Sequence, residues 1–433
     1  MYPAVVDGRV KWIVDGYTTS DAYPYSQMTD LGSVTQDSTT KTSNTIQALG
    51  SQKANYIRNS VKATVDAYDG SVELYAWDAN DPVLKAWEKI FPGQYHPISE
   101  ISGDLMSHLR YPENLFKVQR ELLAKYHVSS AGQFFSGEDF WQTPVDPTES
   151  ATAQQQGVPQ PPYYLSLQTG GSKKPVFSLT SSYIPAGTST REILTGFLSV
   201  DSDAGNEKGV IGPNYGTIRL QELPKDSNVP GPGQAQNNFN ANADVSKELN
   251  LLESGSTKVN RGNLLTLPLG GGLVYVQPVY VQSSGSTSFP LLKKVLVAFG
   301  DQVGFADTLD EALDQVFGGN SGASAGDAEN SGNTSQSGDG QNSGGQNGTE
   351  SGDGSESNGN ANGSGTNEGK DQNGSSSQGG SQSPELQQAL KDAAQAMKDS
   401  QSAMKNGDWT AYGEAQKQLE EALNKAIELD GGK

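Results

Sequence analysis

One tract of this 433-residue chain has no means of folding by itself. Residues 318–383 contain no Val, Ile, Leu, Met, Phe, Trp or Tyr, and their charges are almost all acidic. Because such a tract has no apolar surface to bury, we expect a disordered Gly/Ser/Asn-rich linker, with a mean span of roughly 45 Å. The linker divides the chain into a large region, residues 1–317, and a short tail, residues 384–433.

The tail is predicted to form a helical hairpin. Ser383-Pro384 favours a helix start, and apolar residues recur every three or four positions as far as Met404. Asn406-Gly407 would end this helix, and Asp408 would cap the next one. Two short antiparallel helices bury little surface, so we expect the hairpin to dock onto a partner or to pair with a second copy.

The large region is predicted to be α+β, with a mixed, mainly antiparallel sheet and several helices. Asp7-Gly8 and Asp69-Gly70 each separate two runs of alternating apolar residues, which is typical of β-hairpins. Seven more strands are predicted from residue 163 onward, joined by segments rich in Gly, Pro and Asn. They are Tyr163–Leu167, Val176–Ser181, Ile193–Val200, Tyr215–Leu220, Asn263–Leu267, Leu273–Val281 and Leu291–Phe299.

Two further expectations concern the chain around the first hairpin. Val10, Trp12 and Val14 alternate along the sequence, which predicts that they share the buried face of a strand. Asp15-Gly16 would then turn the chain. Residues 29–51 are polar and show no periodicity, so a long loop is expected there.

Helix signals occur at four places in the large region. Three of them begin at a capping residue, and the longest, Glu113–Tyr126, is marked by apolar residues at helical spacing. The predicted helices are one that begins at Asp81-Pro82 and buries Val83, Leu84, Trp87 and Phe91, Glu113–Tyr126 with a buried stripe of Leu115, Val118, Leu122 and Tyr126, Val245–Glu253 capped by Asp244, and a short helix from the capping box Thr308–Glu311 through Phe317.

Composition excludes several classes of function. The net charge is −20 and the basic residues are scattered, which argues against a nucleic-acid partner. The absence of cysteine excludes disulfides, thiolate metal sites and cysteine nucleophiles. No apolar run approaches the ~20 residues that cross a bilayer, and the first residues lack the pattern of a signal peptide.

Motifs that could carry chemistry are weak. Gly322–Gly326 matches Gly-x-Ser-x-Gly, but it lies in the linker rather than between a strand and a helix, so we interpret it as accidental. His96, His108 and His127 lack metalloprotease spacing and are expected at the surface or at helix ends.

An acidic stretch after the strand that ends at Val200 resembles part of a calcium loop. Asp201 and Asp203 have the alternate spacing of calcium ligands, but the full 12-residue pattern is missing. An acidic turn is therefore the favoured interpretation, and a divalent ion remains the alternative.

Five aspartates lie close in sequence to aromatic residues. Acids beside aromatics occur in clefts that bind or hydrolyse sugars. Turn and cap roles account for Asp7, Asp15 and Asp81, so no residue is assigned as catalytic, cofactor-binding or metal-ligating. The aspartates are Asp7, Asp15, Asp21, Asp78 and Asp81, and the aromatics are Trp12, Tyr17, Tyr23, Tyr25 and Trp77.

Several phrases of the sequence resemble one bacterial family. They are Tyr2–Gly8, Trp12–Asp15, Tyr17–Thr19, Tyr23–Ser26, Asn55–Lys62, Leu74–Asp78, His108–Glu113, Pro161–Tyr164, Pro230–Gln234 and Gly262–Pro268. Together they resemble uncharacterised protein family 0182, whose members are multi-pass membrane proteins with a large extracytoplasmic C-terminal region. The resemblance runs from Tyr2 to about Phe317 and brings no established reaction or catalytic residues.

The resemblance implies a setting at the cell membrane, with this region on the extracytoplasmic side. It implies that the chain corresponds to the C-terminal part of a longer protein and is attached to the membrane through N-terminal helices that it lacks. We expect a binding or scaffolding role, with an envelope protein or glycan as partner and without a cofactor. The alternative is an envelope glycan-processing enzyme that uses Asp7, Asp15, Asp21 or Asp78.

Overall fold

A computed structural model describes residues 1–319, apart from gaps at 43–46, 169–173, 188–191, 226–227, 254–256, 270–271 and 284–287, together with Ser321 and scattered positions between Gln388 and Lys425. The chain divides into two units, Met1–Gly338 and Asp339–Lys433. The described positions of the second unit are helical. Almost all of the predicted linker, the Gly322–Gly326 match and the turn of the tail hairpin lie outside the described residues.

The first unit is α+β with mainly antiparallel sheets, as predicted. Its strands are β1 Tyr2–Val6, β2 Arg9–Ser20, β3 Thr29–Asp30, β4 Lys53–Ala54, β5 Tyr56–Asp66, β6 Val72–Ala76, β7 Tyr95–Pro97, β8 Trp141–Gln142, β9 Tyr163–Leu167, β10 Val176–Pro185, β11 Gly196–Asp201, β12 Ile218–Glu222, β13 Thr257–Arg261, β14 Leu265–Leu269, β15 Gly272–Ser283, β16 Leu291–Phe299 and β17 Gln302–Ala306. Its helices are α1 Leu31–Val34, α2 Ser38–Thr42, α3 Pro82–Ile90, α4 Gly103–His108, α5 Glu113–Tyr126, α6 Ala131–Ser136, α7 Ala151–Gln155, α8 Pro232–Ala241, α9 Ala243–Leu252 and α10 Leu309–Phe317.

The first sheet has the strand order β1-β2-β5-β6-β7, and only the pair β6-β7 is parallel. Both predicted hairpins are confirmed. Asp7 and Gly8 have φ of 50° and 77°, which is the geometry of a tight hairpin turn and explains the Asp-Gly pair.

The buried face of β2 differs from the prediction. Ile13 is fully buried, whereas Val10, Trp12 and Val14 are only half-buried. Asp15-Gly16 does not turn the chain, because β2 continues to Ser20 and its register against β5 shifts between Gly16 and Tyr17. Glycine in a strand often marks such a β-bulge, and the Asp-Gly pair alone does not distinguish a bulge from a turn.

The prediction of a long loop over residues 29–51 was also wrong in part. It contains β3 and the short helices α1 and α2. Asp30 caps α1 by accepting a hydrogen bond from the Ser33 N–H at 2.9 Å. Leu31 packs with Ala54 and Val118, and Val34 and Leu49 pack against the same cluster, so apolar residues hold this polar stretch to the core.

Two further sheets follow. One has the order β12-β11-β10-β8 with β9 also paired to β10, and the other has the order β13-β15-β16-β17 with β14 also paired to β15. The predicted strands at β9 and β16 are confirmed to the residue, and the other five overlap observed strands with shifted ends. In these two sheets and the helices that pack on them, the sequence analysis missed β8, β13, β17 and α8.

Helix α5 has the predicted bounds, but its buried face is different. Phe116, Lys117, Val118, Arg120 and Ala124 are buried, while Tyr126 is exposed. The predicted buried stripe is therefore confirmed at Val118 and wrong at Tyr126, its C-terminal end.

Of the three predicted helix caps, two are confirmed. Asp81 caps α3 and Thr308 caps α10, as predicted. Helix α9 is capped by Asn242 rather than by Asp244. On α3 only Leu84 is buried, and Trp87 and Phe91 stack on each other at the surface.

The core is divided among the sheets. Helix α5 packs on the second sheet, where Phe116 meets Leu179 and Leu198. The third sheet is covered on both faces, because Phe239 of α8 lies in one apolar cluster and Val316 of α10 lies in another. Coverage on both faces explains the almost continuous apolar sequence of β15 and β16.

Candidate functional site

Two of the candidate aspartates form ion pairs. Asp15 accepts a hydrogen bond from the Lys62 ammonium at 2.5 Å, and the Lys62 side chain is 1% exposed. Asp78 pairs with Arg58 at 3.0 Å, and its other oxygen accepts from the Asn80 N–H. Both carboxylates are therefore engaged within the fold.

The other candidates behave differently from one another. Asp7 lies in the hairpin turn and accepts a hydrogen bond from the Ser102 hydroxyl at 2.9 Å. Asp21 lies in an exposed segment after β2. Asp81 is fully buried and accepts from the backbone N–H groups of α3 and from three hydroxyl groups, those of Thr18, Ser60 and Tyr56.

The environment of Asp81 favours its charged form. Burial opposes ionisation, but the hydrogen bonds from Ser60, Thr18, Tyr56 and the Val83 N–H outweigh it and lower the pKa of Asp81 to about 2. A carboxylate held in this way is an anchor for the helix start, so its position argues for a structural role.

The three histidines lie at the surface or at helix ends, as predicted. His108 is in the last turn of α4, and His127 is the C-cap of α5. His96 lies on the edge strand β7 between two carboxylates, with Nε2 2.6 Å from Glu73 and Nδ1 2.8 Å from Glu100.

His96 makes the stability of this edge depend on pH. The hydrogen bond to Glu100, opposed by some desolvation and reinforced by the charge of Glu73, raises the pKa of His96 above 6.5. A raised pKa in the folded state stabilises the protein below the unfolded-state pKa, and this contribution is lost as pH rises through the folded-state pKa. We expect His96→Gln to lower the free energy of unfolding at about pH 6 and to have little effect at about pH 9. Urea denaturation at the two pH values measures this, and an equal effect at both would contradict it.

The structure has a turn at the acidic stretch, as favoured: Asp201 ends β11, and Asp203 lies in the segment that follows. Asp201 is buried and forms an ion pair with Arg219, and Asp203 accepts a hydrogen bond from the Gly205 N–H at 2.9 Å. In the part of the chain that the structure describes, no three His, Asp or Glu side chains are grouped as metal ligands would be.

A polar cavity of about 490 Å³ lies between α8, α9 and β13, and we name it the amide cleft. The two helices meet at Asn242, which ends α8 and caps α9 by accepting from the Asp244 and Val245 N–H groups. Helices α8 and α9 contact each other, and α9 also contacts β13. The lining residues are Thr148, Asn240, Val245, Ser246, Leu249, Asn250, Glu253, Val259, Asn260 and Arg261.

The amide cleft has a polar rim over an apolar floor. Val245 and Leu249 belong to the core of the third sheet, and Val259 packs against them. At the rim, Arg261 donates to the amide oxygen of Asn240 at 2.5 Å, and Asn260 donates to Gln282 at 3.2 Å.

Charge is sparse in the amide cleft. Partial burial lowers the pKa of Arg261, and the charge of Glu253 opposes this shift. The side chain of Asn250 makes no hydrogen bond within the described residues, so its amide is available to a ligand.

A second cavity of about 280 Å³, the histidine cleft, lies beside the start of β8, the end of β10, the segment before β11 and the end of β12. The His127 ring stacks on Trp141 with centroids 3.5 Å apart, and its Nδ1 lies 2.8 Å from the Leu123 carbonyl, which accepts a hydrogen bond from it. Asp139 pairs with Lys225 at 2.8 Å. Glu138, Phe140 and Glu222 also line the cavity, so acids and aromatics meet here as well.

The sequence analysis expected His127 at the surface or at a helix end and assigned it no site, and it missed both clefts. The asparagines of the amide cleft come from two helices and a strand, and only packing brings them together. The single local signal was the Asn-rich run from Asn237 to Asn242, which the helix prediction did not use.

These observations define a class: an α+β region with mainly antiparallel sheets and two polar clefts, whose candidate aspartates are largely engaged within the fold. The chain belongs to the uncharacterised protein family UPF0182, whose model matches residues 1–252. None of the helices in the described part of the chain is long and apolar enough to span a membrane.

Relatives in the same family are much longer than this chain. It is 80% identical over 430 residues to a UPF0182 protein of Bifidobacterium longum, covering 99% of this chain and 38% of the relative. It is 82% identical to one from Bifidobacterium adolescentis and 54% identical to one from Paenarthrobacter aurescens, covering 99% of this chain and 39% of the relative in both cases. The chain thus spans about two fifths of the length of these relatives. No solved structure matches it.

Proposed function

We propose that this chain is an extracytoplasmic binding or scaffolding region of a bacterial membrane protein, and that the amide cleft binds a glycan of the cell envelope. The amide cleft is the observation that carries the proposal. It offers three asparagine amides and two hydroxyl groups above an apolar floor, with Arg261 and Glu253 as its charged side chains.

The chemistry of the amide cleft suits a sugar. An asparagine side chain both donates and accepts hydrogen bonds, as a sugar hydroxyl does, so the two groups pair in either direction. The apolar floor of Val245, Leu249 and Val259 is suited to the C–H face of a sugar ring. A volume of about 490 Å³ falls within the range of roughly 300–1,000 Å³ that is usual for small-molecule sites.

The membrane setting is part of the same proposal. The alignment with the Bifidobacterium longum relative covers 99% of this chain but 38% of the relative, which leaves length for the membrane-spanning helices that the family resemblance implies. We therefore propose that the chain corresponds to the extracytoplasmic C-terminal part of such a protein.

Titration of the full chain with neutral envelope oligosaccharides by calorimetry tests the proposal. We expect saturable binding, and we expect Asn250→Ala to weaken it about tenfold, which is the loss of about 1.4 kcal/mol of hydrogen bonding. Asn214→Ala is the matched control, because Asn214 is an exposed asparagine outside the cleft and its loss should leave binding unchanged.

A second function is favoured by the histidine cleft, which Glu138 and Glu222 line together with Phe140 and Trp141. Acids beside aromatics fit a glycan-processing enzyme. Glycan turnover that is abolished by Glu138→Gln or Glu222→Gln, and unaffected by Asn250→Ala, would replace the binding proposal with this one. Absence of both binding and turnover with envelope glycans would overturn both.

A further inference from the structure

The side chain of Arg110 is held between two tyrosine rings. Its guanidinium carbon lies 3.9 Å from the centre of the Tyr2 ring and 4.2 Å from the centre of the Tyr164 ring. Tyr164 in turn stacks on Phe177, with centroids 5.6 Å apart and planes 13° apart. Because Tyr2 lies on β1 and Tyr164 on β9, the stack joins the first sheet to the second.

Hydrogen bonds fix this stack in place. The Tyr2 hydroxyl donates to the His108 carbonyl at 2.9 Å, and the Tyr164 hydroxyl donates to the Tyr111 carbonyl at 2.5 Å. The carbonyl of Arg110 itself accepts from the Lys62 ammonium at 2.9 Å. Both rings are thus tied to the backbone on either side of Arg110, and the guanidinium is ordered before any ligand arrives.

The charge of Arg110 has no partner within the described residues. Its side chain makes no ion pair and donates no hydrogen bond there, and the two nearby carboxylates are engaged elsewhere. Asp15 pairs with Lys62 at 2.5 Å, and Glu113 pairs with Lys117 at 2.7 Å. Arg110 is half-buried, and none of its side-chain nitrogens is both buried and without a hydrogen-bond partner. Its N–H groups therefore reach solvent.

We propose that Arg110 anchors a binding site for an oxyanion, a carboxylate or phosphate group carried by a ligand. Guanidinium presents its donors as a planar fork that matches both groups in bidentate geometry. Since the two rings cover the faces of the guanidinium, the anion approaches along its edge. Pre-ordering of the fork lowers the entropy that binding costs. This site is distinct from the amide cleft and does not depend on the proposed glycan binding.

Arginine side-chain NMR on the full chain tests the proposal. The Nε–H signal of Arg110 is identified by its contacts to the Tyr2 and Tyr164 rings, and it is followed as inorganic phosphate or glucuronate is added. We expect a saturable shift of this signal with the preferred anion and no shift with sodium chloride at equal ionic strength. The two anions distinguish a phosphate-bearing ligand from a carboxylate-bearing one.

Two variants and one internal control sharpen the result. Arg110→Lys removes the observed signal, so its affinity for the anion is compared with that of the unmodified chain by calorimetry. We expect binding about tenfold weaker, because a lysine lacks the bidentate fork. Tyr164→Phe keeps the ring but removes its hydrogen bond to the Tyr111 carbonyl, so it should weaken binding severalfold while the Arg110 signal remains. Arg58, which is paired with Asp78, is the control in the same spectrum. If the Arg110 signal of the unmodified chain moves no more than that of Arg58 with either anion, the proposal is wrong.

Discussion

Replacement of Asp15 by alanine is expected to lower the free energy of unfolding by about 3–5 kcal/mol, because it leaves a buried charge without its partner. Lys62 is 1% exposed, and Asp15 is the carboxylate that compensates its charge at 2.5 Å. The remaining contacts of the ammonium are the Arg110 carbonyl at 2.9 Å and the face of Trp77 at 5.3 Å. A carbonyl and a ring do not neutralise a buried cation, so the loss should be large.

The surface pair Arg58–Asp78 is the matched control for this prediction. Its side chains are 44% and 31% exposed, and exposed ion pairs contribute about 0–1 kcal/mol. We expect Arg58→Ala to cost less than about 1 kcal/mol in the same urea denaturation experiment. The double variant Asp15→Leu/Lys62→Met should recover most of the loss of Asp15→Ala, since it removes both charges. Equal losses for Asp15→Ala and Arg58→Ala would show that Lys62 is not charged and buried as described.

Local signals in the sequence predicted much of the fold. The Asp-Gly hairpin turns, the Asp81-Pro82 helix start and the bounds of α5 depend on residues close to one another, and the structure confirms them. The prediction of the buried face of β2 was wrong for a physical reason. Its alternation places Val10, Trp12 and Val14 on one face and Lys11 and Ile13 on the other, and only packing decides which face meets the core.

Buried charges could not be predicted from the sequence. Lys62 and Lys117 are fully buried, although lysine on an alternating strand or an amphipathic helix usually marks the solvent side. Their partners explain the exception, since Asp15 lies 47 positions before Lys62 and Asp37 is the buried partner of Lys117 at 2.5 Å. Contacts at such separations exist only in the folded chain.

The candidate sites show the same limit. Three phrases that carry the family resemblance, Tyr2–Gly8, His108–Glu113 and Pro161–Tyr164, meet in the stack around Arg110, yet nothing in any one of them predicts the meeting. The amide cleft likewise needs Asn242 to end one helix and begin the next. The sequence analysis treated the Gly-, Pro- and Asn-rich segments after residue 163 as connections between strands, so it lacked α8 and one wall of the cleft.

Replacement of Asp81 by alanine should be the second large loss of stability, about 2–4 kcal/mol, because it removes a helix cap and the charged acceptor of several hydrogen bonds. Thr18 and Ser60 are buried, with hydroxyl oxygens 2.6 Å from the Asp81 carboxylate and 2.9 Å from each other. They can still bond to each other in the variant, which limits the loss. Chemical denaturation at neutral pH measures it, and a loss below about 1 kcal/mol would contradict the anchoring role.

The pH dependence of the Asp81 contribution separates its charge from its shape. The folded-state pKa of Asp81 is lowered from 3.8 to about 2, so its charge stabilises the fold above pH 3.8 and this contribution is lost as pH falls toward 2. Asp81→Asn keeps the size of the side chain but not the charge. We therefore expect it to destabilise the protein clearly at neutral pH and much less at about pH 2. Asp21→Asn is the control, since Asp21 is exposed and its replacement should change neither value. A loss for Asp81→Asn that stays constant with pH would mean that the side chain acts through its shape and its hydrogen-bond geometry, because a charge effect must disappear when the carboxylate takes up a proton.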